Sequence, residues 1–224
     1  MHRIQAVAFD MDGLLFDTER LAAESWIAAG KTRGIPIGEE MALRTLGLDR
    51  HNTRRVFEEL YGAGHDYDGI RAERLRYMFD RIERDGMPVK DGVRELLDFL
   101  DAARIPYTLA TSTERSRAGR YLESAGLAGR FRYRVCGDMV TRGKPEPDIY
   151  LQAAKLLGVR PQDALALEDA PLGVEAARRA EMPVVMVPDL VQPDGETRRK
   201  TLAVVQSLRD VIPLIRAANA GTQV

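Results

Sequence analysis

Two aspartates, Asp10 and Asp12, stand two residues apart in the stretch AVAFDMDGLLFDTERL at 6–21, with Gly13 next and Asp17 close behind. Like charges this close repel unless a cation or a strong donor lies between them. Other reactive types recur along the chain: Thr111-Ser112-Thr113, Lys144 within GKPEPDIY at 143–150, and the acidic pair Glu168-Asp169. Asp10, Asp12 and Asp169, with Glu168 beside them, offer hard oxygens that suit Mg2+, a cation that takes few protein carboxylates and keeps several waters. Thr111 and Ser112 can donate to phosphate oxygens, helped by backbone N–H groups at a helix start. Lys144 can add a compact positive charge against both the phosphate and the aspartates.

These residues share a chemistry only if the fold gathers them. Residues 4–9 (IQAVAF) are nearly all apolar and too short for a helix, which predicts a strand buried on both faces. YTLA at 107–110, YRVC at 133–136, ALAL at 164–167 and PVVMV at 183–187 read the same way. Helical stripes alternate with them: Val93, Leu96, Leu97, Leu100; Ala118, Tyr121, Leu122, Ala125; Tyr150, Ala153, Ala154, Leu157. This alternation predicts an α/β core, a Rossmann-like parallel sheet with helices on both faces. The first aspartates, the Thr111 run and the Glu168 pair each follow a strand, and ligands of open α/β sheets collect at the carboxyl ends of strands.

Between the first two strands the pattern is helical from about Thr18 to Arg84, with stripes Ala22, Trp26, Ala29 and Leu75, Met78, Phe79, Ile82. Asp17 or Thr18 is expected to N-cap the first of these helices. The expected organisation is a core of 1–16 and 88–216, a helical cap of 17–87 inserted after the first strand, and a flexible tail at 217–224. Lys and Arg number 33 against 34 Asp and Glu, so charge asks for neither nucleic acid nor membrane. Cys136 is the single cysteine, which excludes an intrachain disulfide. No leader pattern opens the chain and no apolar run reaches the ~18–20 residues of a membrane span, so a cytoplasmic protein is expected.

FDMDGLLFDTE, LATST (109–113), GKPEPDIY and LEDAPLGVEAARRA (167–180) together resemble, in order, the four motifs of the haloacid dehalogenase superfamily of phosphohydrolases. The resemblance runs from Val7 to about Val187. It implies Asp10 as nucleophile, forming an aspartyl-phosphate, and Asp12 as acid and base with its backbone carbonyl on Mg2+. It implies Glu168 and Asp169 as the rest of the metal shell, and Thr111, Ser112 and Lys144 as holders of the phosphoryl group. The insert resembles that of members with a helical cap. Small sugar-phosphate and nucleoside-phosphate phosphatases, pseudouridine-5′-phosphatases among them, share these openings, and so do beta-phosphoglucomutases. The mutases carry a histidine at the position of Ala22, which favours hydrolysis. Non-catalytic phosphate binding is a third reading, disfavoured because Asp10, Asp12, Lys144 and Asp169 are all present. Within LGLDRHN (46–52), Gly47 and Arg50 occupy the place of a substrate loop, with Arg50 expected on the distal polar part of the substrate. The implied partner is a small phosphorylated metabolite, the implied cofactor Mg2+, and the expected state a monomer.

Overall fold

A computed structural model describes residues 3–45 and 47–221. Six parallel strands form one sheet in the order β3-β2-β1-β4-β5-β6. They are β1 (Ala6–Phe9), β2 (Tyr107–Ala110), β3 (Arg134–Val135), β4 (Ala164–Glu168), β5 (Val184–Met186) and β6 (Ala203–Val204). β1 lies centrally, with Val7 opposite Tyr107 on one side and Leu165 on the other.

Alternation along the strands makes two unlike faces. Val7, Phe9, Leu109, Leu165 and Leu167 point into one core, packed with α5 (Val93–Ala102), α6 (Arg115–Ser124) and α10 (Val211–Asn219). Ala6, Ala8, Ala110, Ala164 and Ala166 face the other, where α7 (Asp148–Leu157) and α8 (Pro171–Arg179) lie. Small side chains on that face leave room for a helix backbone to come close. β2 matches YTLA and β4 runs one residue past ALAL, while β1, β3 and β5 are shorter than the sequence suggests. YRVC supplies only two paired residues, and β6, with α9 (Gly195–Lys200) before it, has no counterpart in the sequence reading.

Between β1 and α5 the chain forms α1 (Thr18–Arg33), α2 (Glu39–Arg44), α3 (Arg50–Tyr61) and α4 (Tyr67–Asp85). These helices share a core of their own around Trp26, Met41, Phe57, Tyr67 and Ile70. Trp26 and Phe57 stack with centroids 6.2 Å apart. The far end of α4 sends Met78 and Ile82 into the core of the sheet. Asp49 and Asp66 cap α3 and α4 by accepting from Asn52 N and Gly69 N. Asp17 stands at the N-cap of α1 but accepts no backbone N–H there, and Thr18 turns its hydroxyl to Asp12 instead, so the expected cap is replaced by a tie into the sheet edge. The chain leaves and re-enters the sheet region side by side: Asp17 N donates to Pro88 O, and Lys90 N to Leu15 O, both at 2.9 Å.

The last helix, α10, runs through Asn219, into the segment expected as a tail. Ala218 is buried, and Asn219 clamps Ile4 by accepting from its N–H at 2.8 Å and donating to its carbonyl at 3.1 Å. These contacts tie down the first part of the expected tail, and 222–224 lie outside the described residues. No helix among the described residues is long and apolar enough to cross a membrane.

Candidate active site

The strand order reverses beside β1, which makes the carboxyl edge of β1 and β4 the crevice of the sheet. Asp10 follows β1 directly and is buried. The chain then turns sharply, with Leu15 N and Phe16 N both donating to Met11 O. Gly13 takes φ +84° in this turn, and a Cβ there would fall 2.2 Å from Asp169 Oδ2, so both conformation and space require glycine. Asp12 is held on both oxygens. Thr18 Oγ1 donates to Oδ1 and Thr113 Oγ1 to Oδ2, each at 2.7 Å.

Thr111 follows β2 directly and is buried, accepting from Thr113 N at 3.0 Å. Ser112 Oγ donates to the carbonyl of Gly47 at 2.9 Å, which ties the insert to the sheet edge. Lys144 precedes α7 and is 2 % exposed. Its ammonium donates to Asp10 and, at 2.6 Å, to Glu168 Oε1. Glu168 ends β4 and also accepts from the hydroxyl of Tyr150 on α7. Burial opposes the charge on Lys144, but Asp10 and Glu168 outweigh it and hold the ammonium well above its usual range.

The acids outnumber that lysine. Oxygens of Asp10, Glu168 and Asp169 lie within 4.8 Å of one another, all buried. Burial pushes Asp10 up to about 7 against the pull of Lys144, with Glu168 and Asp12 adding repulsion. Asp169 is raised well above the usual carboxylate range by burial, then by Glu19 and Asp10. Glu19, in the first turn of α1, rises to about 8 through burial and through Asp189, Asp12 and Asp10. Crowded hard oxygens short of positive charge fit a divalent cation of the Mg2+ type. Asp10 and Asp169 would hold it, since the Oε1 of Glu168 is already engaged by Lys144 and Tyr150. The carboxylate of Asp12 is turned to its two threonines and is not among the converging oxygens.

The site opens into a cavity of about 110 Å³ between sheet edge and helical insert, lined among others by Asp10, Asp12, Trp26, Thr111, Arg74 and Arg117. Gly47 and Arg50 border it too. Arg50 is more than half exposed and pairs with Asp68 Oδ1 of α4 at 2.9 Å, a carboxylate it shares with Arg54. Glu19, Tyr150, Arg74 and Arg117 escaped the sequence reading. Glu19 had a signal in the DTE that follows the first turn. The others come from helix faces that show their direction only once packed.

A family model of haloacid dehalogenase-like hydrolases matches residues 4–181. The chain belongs to this family. It is 34% identical over 177 residues to a "Phosphorylated carbohydrates phosphatase" of Thermotoga maritima, covering 79% of this chain and 82% of the relative. It is 35% identical over 223 residues to a Drosophila melanogaster protein named "Probable pseudouridine-5'-phosphatase", covering 95% and 94%. It is also 30% identical over 188 residues to a beta-phosphoglucomutase of Bacillus subtilis, covering 80% and 81%. The crystal structure of a beta-phosphoglucomutase from Clostridium difficile superposes with a TM-score of 0.82 over 97% of this chain and 98% of that one, at 23% identity, a likeness of fold.

Proposed function

We propose that this enzyme hydrolyses small phosphomonoesters in the presence of Mg2+, through a phosphoryl group carried on Asp10. The observation that carries this reading is the pair Asp10 and Asp12 at one sheet edge, the first against Lys144 and the second oriented by two hydroxyls. Asp10 attacks phosphorus through a carboxylate oxygen and the bond to the leaving oxygen breaks. Asp12 gives that oxygen a proton, then takes one from the water that attacks the aspartyl-phosphate. Splitting one hard displacement in two is the gain of covalent catalysis. Thr111, Ser112 and Lys144 bind the phosphoryl oxygens, and residues 17–87 act as the cap that excludes water. A bound Mg2+ supplies charge neutralisation and orientation of the phosphate.

The cavity is far below the roughly 300–1,000 Å³ of pockets for drug-sized ligands, which supports a small substrate. Ala22 lines this cavity and offers no acid–base group, which supports hydrolysis over transfer to a second hydroxyl of a bound sugar. The test is phosphate release from a panel of phosphomonoesters with Mg2+ or EDTA, with Asp10→Asn in parallel. Release that needs the metal and vanishes in the variant is expected. Activity that persists in Asp10→Asn would reject the assignment.

A further inference from the structure

We propose that Arg74 and Arg117 form a subsite for a second anionic group on the substrate, a carboxylate or phosphate carried by the leaving alcohol. The proposal rests on the phosphatase reading and names the class of ester.

Four arginines reach the cavity, from α3, α4 and α6: Arg50, Arg71, Arg74 and Arg117. Two of them already sit on carboxylates, and Asp68 is shared with Arg54. Arg50 pairs with Asp68, and Arg71 with Glu114 Oε1 at 2.9 Å. The other two pair with no carboxylate among the described residues. Arg74 donates Nε–H to the hydroxyl of Ser25 at 3.1 Å, and its guanidinium lies over the Trp26 ring, 4.6 Å from the centroid. Arg117 donates from Nη2 to Thr113 Oγ1 at 3.1 Å, and its buried Nε has no partner.

Two guanidinium groups lining one small cavity without counter-ions are costly unless an anion joins them. Burial, and after it the like charge of Arg117, depresses Arg74 to about 10. Their position selects the end of the substrate they would meet. Arg117 reaches Asp12 through the shared hydroxyl of Thr113, and Arg74 lies near enough to feel the charges of both Arg117 and Asp12, which puts the pair on the side of Asp12, the residue that protonates the leaving oxygen. Lys144 and the metal-binding acids lie on the side of Asp10. A guanidinium fork matches a carboxylate or phosphate bidentately, and Trp26 fixes the plane of one of the two. Arg50 borders the same cavity but already pairs with Asp68, so the subsite is assigned to the two arginines that pair with no carboxylate among the described residues.

The experiment compares matched esters: ethyl phosphate against phosphoglycolate, and a sugar monophosphate against its bisphosphate. The readout is the ratio of kcat/KM, charged tail over neutral tail, in wild type, Arg74→Gln, Arg117→Gln and Arg117→Lys. Wild type is expected to favour one charged class at least tenfold, and which pair does so separates carboxylate from phosphate. Each Gln variant is expected to lower that ratio at least tenfold, mainly through KM, and Lys to restore part of it. A wild-type ratio near one overturns the proposal. So does a ratio unchanged in the variants while both rates fall together, the sign of a structural role. Should Arg74→Gln not fold, Arg117→Gln carries the test. Should no ester be hydrolysed, the phosphatase reading fails on its own, and calorimetric binding of the same esters to Asp10→Asn, with and without Arg117→Gln, decides the subsite. Tighter binding of the charged ester that Arg117→Gln removes supports it, and equal binding rejects it.

Discussion

Thr113 donates its hydroxyl to Asp12 Oδ2 at 2.7 Å, across 101 residues of chain. With Thr18 on the other oxygen, Asp12 has its carboxylate plane set from two elements, the turn after β2 and the first turn of α1. A misplacement of about 1 Å in a reacting group can cost on the order of 100-fold in rate. Thr113→Val is therefore expected to lower kcat by roughly 10- to 100-fold with KM moving much less, because the threonine orients Asp12 rather than the ground-state phosphate. Thr113→Ser should recover most of the rate. Steady-state kinetics on one ester decides it, and a loss confined to KM would remove the positioning role.

The crowded acids make a prediction about pH. Asp10 and Glu19 are pushed to about 7 and about 8, far above the usual carboxylate range. Raised acids bind protons more tightly in the folded chain than in the unfolded one. Their stabilising effect is therefore complete below the unfolded value near 4 and is lost as pH climbs through about 7 to 8. Burial is the main cause of the rise and repulsion among the acids adds to it; a divalent cation favours the charged forms against both. The gain in Tm from MgCl2 is thus expected to be larger at pH 8 than at pH 5.5, and to shrink in Asp169→Asn. Thermal melts at both pH values measure it; equal gains would mean that the cation does not engage these carboxylates.

The parts of the site that sequence shows are those local to a strand end. Asp10, Thr111, Glu168 and Asp169 each follow an apolar run, so topology alone brings them to one edge. The insert is legible because helical stripes and turns mark it. What stays hidden depends on how helices rotate in the packed molecule. Tyr150 belongs to an apolar stripe of α7, and nothing local says that its hydroxyl meets Glu168. Arg74 and Arg50 look alike in sequence, yet Arg50 meets Asp68, 18 residues on, while Arg74 meets only the hydroxyl of Ser25 and the Trp26 ring. β6 is two residues long at the sheet edge, too short for any alternation to show.

Lys144 is the cation that the acids are built around. Removing one partner of a buried ion pair leaves an uncompensated charge and costs about 3–5 kcal/mol. Lys144→Met leaves Asp10 and Glu168 facing each other with no positive charge between them. We expect a loss of stability in that range at pH 8 without metal, measured by chemical denaturation. MgCl2 or a lower pH should return part of it, since either one neutralises the acids. A loss that neither treatment reduces would point to packing of the lysine stem instead.

Two glycines in helices should respond oppositely to the same substitution. In a helix interior, alanine is favoured over glycine by roughly 0.5–1 kcal/mol, so Gly→Ala stabilises wherever space allows. Gly119 in α6 has that space: a Cβ there would meet nothing nearer than the Arg134 guanidinium at 3.9 Å. Gly173 in α8 does not, because a Cβ would fall 1.9 Å from Glu168 Oε1 and 2.0 Å from its Cδ. The glycine lets the start of α8 lie directly on the carboxylate that Lys144 and Tyr150 hold. Gly119→Ala is expected to raise Tm slightly. Gly173→Ala is expected to lower it and to weaken Mg2+ binding, since Glu168 must move and takes its neighbours with it. Melts of both variants with titrated MgCl2 test this, and a stabilised Gly173→Ala with unchanged metal affinity would show that Glu168 is free to shift without consequence for the site.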